Sequence, residues 1–83
     1  MLVETLDEVI KVRADFTGGQ VTPLLFKREG RVFRVRKVCA RWEDRQRESR
    51  RCFFSVEAEG NIYEIHLDTG TMAWRLDRVC LNG

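Results

Sequence analysis

The stretch Arg51-Cys52-Phe53-Phe54-Ser55-Val56-Glu57-Ala58-Glu59-Gly60-Asn61-Ile62-Tyr63-Glu64-Ile65-His66-Leu67 decides the fold. Cys52, Phe54, Val56 and Ala58 fall on one parity, with Arg51, Ser55 and Glu57 on the other. A period of two marks a strand with one buried face, because successive side chains leave the backbone on opposite sides. Glu59-Gly60-Asn61 interrupts the alternation with a glycine-bearing turn, and Tyr63, Ile65 and Leu67 resume it. Two half-buried strands joined by a tight turn form an antiparallel hairpin.

The same grammar extends outward in both directions. Upstream, Glu43 to Arg50 holds no apolar residue and reads as an exposed loop or an extended hairpin tip. Before it lies the longest strand, Arg31 to Trp42. There Phe33 and Val35 alternate with Arg34 and Arg36, then Val38 and Ala40 fall on the opposite parity. One extra residue near Arg36-Lys37 restores the inward face, so a β-bulge is predicted at that point. Arg28-Glu29-Gly30 is a turn, and Val21 to Lys27 forms a strand with Leu24 and Phe26 on one face. Pro23 has no N–H to donate, which places it near that strand's start or on an edge. Thr17-Gly18-Gly19-Gln20 turns the chain after a strand carrying Ile10, Val12, Ala14 and Phe16 inward. Downstream, Asp68-Thr69-Gly70 leads into a last strand, Thr71 to Val79, with Met72, Trp74 and Leu76 in phase. Residues 1–8 form a leader: Leu2, Leu6 and Val9 have helical spacing, so this segment is either a short helical turn or disordered.

Six short strands separated by turns, with no helical crossover between them, exclude a parallel sheet. The expected architecture is all-β: one antiparallel meander over residues 9–83, barrel-like or strongly curved, of SH3-like or OB-like size. Curling hides the unpaired edges of such a sheet. Eighty-three residues hold one thin core. A deep catalytic pocket would be costly in it, so the chain is expected to be a binding module and not an enzyme.

Net charge is +2, but its distribution is uneven. Lys27 to Arg51 carries eleven basic and four acidic residues, a local +7 that leaves −5 elsewhere. Twelve of the fifteen cations are arginine, the residue suited to bidentate contact with phosphate, although arginine-rich composition also arises from GC-rich coding sequence. Arg34 and Arg36 share the face opposite Phe33 and Val35. Lys37, Arg41, Arg45, Arg47, Arg50 and Arg51 are the candidates to extend a positive surface, with Trp42 as a ring for base stacking. The competing reading is an ordinary solvated face, in which Glu43, Asp44 and Glu48 form weak surface ion pairs with these arginines.

Other constellations are weaker. Cys39, Cys52 and Cys80 include no Cys-x-x-Cys pair, which argues against zinc. Cys39 and Cys52 are placed to face each other across a hairpin, but no signal peptide is seen, so reduced cysteines in a cytoplasmic protein are expected. No metal or cofactor is expected, and no apolar run is long enough to span a bilayer. His66 is the only histidine and has no evident nucleophile beside it, so it reads as a surface residue. Phe16, Phe26, Phe33, Phe54, Tyr63 and Trp74 fall in phase with the core. Phe53 falls on the outward parity and is the candidate for contact with another protein.

The run Pro23-Leu24-x-Phe26-x-x-x-Gly30-Arg31-x-Phe33-x-Val35, preceded by Ala14-Asp15-Phe16 and a glycine turn, resembles a family of short uncharacterised bacterial β-domain proteins. The similarity extends from Ile10 to Arg78. It implies a small β fold with no catalytic residues to transfer and a link to DNA-handling proteins. Two functions follow from the sequence as expectations. One is nucleic-acid contact through the arginine-rich strand and hairpin. The other is a protein-interaction or oligomerisation role through Phe53 and a free strand edge.

Overall fold

The computed structural model describes residues 2–82. It is a single antiparallel sheet of seven strands: β1 (Leu2–Thr17), β2 (Gln20–Arg28), β3 (Arg31–Arg34), β4 (Lys37–Gln46), β5 (Ser49–Ala58), β6 (Asn61–Asp68) and β7 (Ala73–Leu81). The order across the sheet is β3-β2-β1-β7-β6-β5-β4. The two edge strands, β3 and β4, are therefore consecutive in the chain and joined only by Val35 and Arg36. So short a connection requires the two edges to lie close together, as they do because the sheet curls into a half-barrel. The Val35 N–H donates to the Leu24 carbonyl (3.0 Å) and the Arg36 N–H to the Glu57 carbonyl (2.8 Å), tying the junction to both halves.

The seventh strand arises where one long strand was expected. Arg31–Trp42 divides at Val35-Arg36, so the change of phase there is a break between strands at opposite edges of the sheet and not the expected β-bulge. A further irregularity skips Cys39 between the pairs Val38–Val56 and Ala40–Ser55. The polar run Glu43–Arg50 forms the extended hairpin tip, with Arg47-Glu48 as its turn.

Three further expectations are corrected. Residues 2–8 are strand, not helix or leader; Met1 lies outside the described residues. Their helix-like spacing comes from a bulge in which Leu6 and Asp7 oppose Asp77 alone, with Asp7 in left-handed backbone (φ 48°). Leu24 is skipped between the pairs Arg13–Leu25 and Ala14–Pro23, so it is exposed while Pro23 is buried. Phe16 and Met72 do not join the core, because β1 outruns it and Met72 lies in the β6–β7 turn; they are 60% and 62% exposed.

The core comprises Ile10, Phe26, Phe33, Cys52, Phe54, Val56, Ala58, Tyr63, Ile65, Leu67, Trp74, Leu76 and Val79. At its centre Phe26 stacks on Phe33 (centroids 5.1 Å, planes 3° apart), and both meet Tyr63 edge-on at 5.2 and 5.6 Å. Phe26→Ala should remove roughly 3–5 kcal/mol, as much as a core of this size supplies. The variant is expected to lose its cooperative thermal transition, whereas Val32→Ala, on the outer face, should change stability by less than about 0.5 kcal/mol. Melting followed by circular dichroism distinguishes them.

Candidate nucleic-acid interface

The register of β1, β2 and β3 builds a cationic face that the sequence does not announce. Val12 and Phe26 pair on the core side, so their neighbours Lys11 and Lys27, also directly paired, stand together on the outer side. The next outer pair is Arg13–Leu25, and Leu25 in turn pairs with Arg34. Val32 pairs with Lys27 and completes the patch. Lys11, Arg13, Lys27 and Arg34 are all exposed, and among the described residues none has a carboxylate within salt-bridge distance. Only Arg34 belonged to the expected arginine surface. Of the three others, Lys11 and Arg13 come from β1 and Lys27 from β2, and strand register brings them to Arg34 on β3.

The remaining expected residues do not form one continuous surface. Lys37 pairs across the sheet with Glu57, which also lies 3.8 Å from Arg36. The bulge at Cys39 turns Arg41 toward the core side: it pairs with Phe54, its guanidinium lies 5.6 Å from that ring, and Nη1 donates to the Val21 carbonyl (2.7 Å). Arg45 and Arg50 share Arg41's side of the hairpin, where Glu43 is 3.7 Å from Arg50. Arg47 occupies the turn with φ 55°. Trp42 and Arg51 stand on the outer side, with Arg51 in a bidentate pair to Asp44 (3.0 and 2.6 Å). That hydrogen bonding raises the Arg51 pKa further above its ordinary value, as the Glu8 hydrogen bond does for Arg28. Alternating acids thus divide the basic segment, because strand parity sends adjacent residues to opposite sides.

The outer side of β4–β6 carries a row of rings. Trp42 pairs with Phe53, and Phe53 with His66. The indole and phenyl planes lie 4° apart at 5.4 Å, and the imidazole is 4.9 Å beyond. Arg51 lies 5.3 Å from the Phe53 ring. Phe53 faces outward as expected but is covered on both sides. His66 corrects its reading as a surface residue: it is 7% exposed, because Phe53 covers it and its Nδ1 meets both oxygens of Asp77 at 2.9 and 2.8 Å. Facing a carboxylate, Nδ1 is the donor.

Where β2 and β4 fail to meet, a cleft of about 480 Å3 opens, lined by the Gly18-Gly19 turn, Gln20, Val21, Arg41 and Trp42 among others. Cys39 is exposed and Cys52 buried opposite Glu43, so the two do not face each other; all three cysteines are free thiols. No group of three or more metal-ligating side chains occurs among the described residues, and no helix is long and apolar enough to cross a membrane. No protein-family model, curated protein or solved structure matches this chain.

The Asp77 carboxylate satisfies a buried donor. Asp77→Ala should therefore cost about 1–3 kcal/mol in urea denaturation. Asp77→Asn keeps an acceptor and should recover most of it. Equal loss in the two variants would show that the hydrogen bond is not what Asp77 contributes.

Proposed function

We propose that this protein is a nucleic-acid-binding module that receives the phosphate backbone on the outer face of β1, β2 and β3. The observation that carries this reading is Lys11 directly opposite Lys27, flanked by Arg13 and Arg34, with no acid among them. Like charges at directly paired positions destabilise a sheet. Acids are not scarce in this chain, since Arg28, Arg31, Arg36, Arg50, Arg51, Arg75 and Arg78 each have a carboxylate partner. Two further positions set cation against cation, Arg28–Arg31 and Arg45–Arg50, and there Glu8, Glu59 and Glu43 offset the repulsion. An anion supplied from outside offsets it at Lys11–Lys27. A repeating polyanion suits four cations spread over three strands better than a single small anion does. The module is read as a binder and not as an enzyme: its one histidine is buried and oriented by Asp77.

Exposed Phe16 and Met72, which line a shallow apolar hollow with Val21 and Leu67, favour a second reading as a protein-contact or self-association module. Sedimentation equilibrium tests its self-association form: a strict monomer at high concentration removes that option.

Full-length protein should bind DNA or RNA with an affinity that falls as salt rises. Lys11→Ala with Lys27→Ala should lower the slope of log affinity against log salt by about 2, one per lost phosphate contact. Lys11→Glu, opposite Lys27, should weaken binding while raising folding stability by about 0.2–1 kcal/mol. Fluorescence anisotropy and urea denaturation measure the two effects. Absence of salt-dependent binding to any nucleic acid would refute the reading.

A further inference from the structure

We infer that the nucleic acid bound is single-stranded, and that one of its bases stacks on the open face of Trp42 at the cleft between β2 and β4. This inference rests on the nucleic-acid reading above and narrows it to a substrate class.

The ring row carries the argument. His66, Phe53 and Trp42 occupy successive cross-strand positions on β6, β5 and β4. The row is anchored at its inner end, where the two contacts to Asp77 hold the imidazole in place. It ends at Trp42 because β4 is the edge of the sheet. Phe53 covers one face of the indole, no strand stands beside the other, and Trp42 remains 43% exposed. The parallel Phe53–Trp42 pair, ending in a large open aromatic face, suits one more planar ring. The host side chains are already ordered, so the incoming ring meets little further entropy cost. Every nucleobase has such a face, and stacking on an aromatic side chain contributes about 1–3 kcal/mol per base.

Irregularities in β2 and β4, the strands on either side of the cleft, exclude a different occupant, an added strand. Pro23 lacks a donor, Leu24 is skipped in the β1–β2 pairing, Cys39 breaks the register of β4, and the Arg41 guanidinium crosses the gap to the Val21 carbonyl. Such features blunt edges against strand pairing. A base with its flanking phosphates fits what remains. Arg41 spends one of its five N–H donors on Val21 and has no carboxylate partner among the described residues, leaving its other donors for phosphate, whereas Arg50 in the same cleft is paired with Glu43, which also lines it. Duplex DNA offers phosphates but keeps its bases stacked internally, and extruding one costs a few kcal/mol. Single strands offer both groups at once.

The test titrates full-length protein with a short oligothymidylate and with a duplex of equal length, reading anisotropy and tryptophan emission. Trp74 is buried in the core, so a change in emission on binding reports Trp42. The single strand is expected to bind more tightly and to quench the emission. Trp42→Ala should lose roughly tenfold in single-strand affinity, with duplex affinity and salt slope unchanged. Trp42→Phe, which keeps a smaller face, should lose only a few-fold, and it carries the test if the alanine variant does not fold. Unchanged emission at saturation, or an equal loss for both nucleic acids, overturns the stacking site while leaving the cationic face standing. No salt-dependent binding by the unaltered protein to either nucleic acid refutes the parent reading instead.

Discussion

The contact on which this structure depends is the meeting of Phe26 and Phe33 with Tyr63. Phe26 and Phe33 lie on neighbouring strands at one side of the sheet, whereas Tyr63 comes from β6, three strands further along the sheet order from β2. Only a sheet curled on itself brings them within 5.6 Å. A flat sheet would leave all three rings in water, and burying such side chains is the largest favourable term that a small β domain has. Curvature is therefore driven by the core. The chain then holds it by running directly from one sheet edge to the other through Val35 and Arg36.

Curvature of this degree needs irregular strands, and the irregularities shape the surface as much as the core. The extra residue at Leu24 buries Pro23, the break at Cys39 sends Arg41 across the cleft, and the bulge at Leu6-Asp7 faces Asp77, which holds His66. Each one adds a residue to one strand and so reverses the parity beyond it. Positions that look equivalent in sequence then reach opposite sides of the sheet, and the arginines of β4 and its hairpin are divided between the two.

The cationic face carries a cost in stability. Lys11 opposite Lys27 works against the folded sheet, whereas most arginines elsewhere are matched with acids. The aromatic row on β4–β6 adds an ordered surface at the β4 edge of the sheet. Charge on one part of the outer face and stacking on another are both set by which residues are cross-strand neighbours.

The all-β class, the turns and most of the core were legible in the sequence, because period-two alternation and glycine-bearing turns are local properties of the chain. Cys52, Phe54, Val56 and Ala58, and Tyr63, Ile65 and Leu67, are buried as their parity requires. The change of phase at Arg36-Lys37 was legible for the same reason, but it was read as a bulge, because which sheet edge each half of the stretch joins is not a local property. Leu6, Leu24 and Phe16 were misread because a bulge or a strand overrunning the core leaves no local mark. His66 was misplaced because its cover and its partner come from neighbouring strands. Arg34 and Lys27 were visible within the basic segment, but Lys11 and Arg13 lie outside it, up to 23 residues from Arg34 in sequence, and the four gather only through pairing register. The sequence by itself determined which residues alternate and where the chain turns; tertiary structure alone decided which strands lie side by side. A charged or stacked surface is a relation between neighbouring strands, and that relation exists only once the sheet has closed around its aromatic centre.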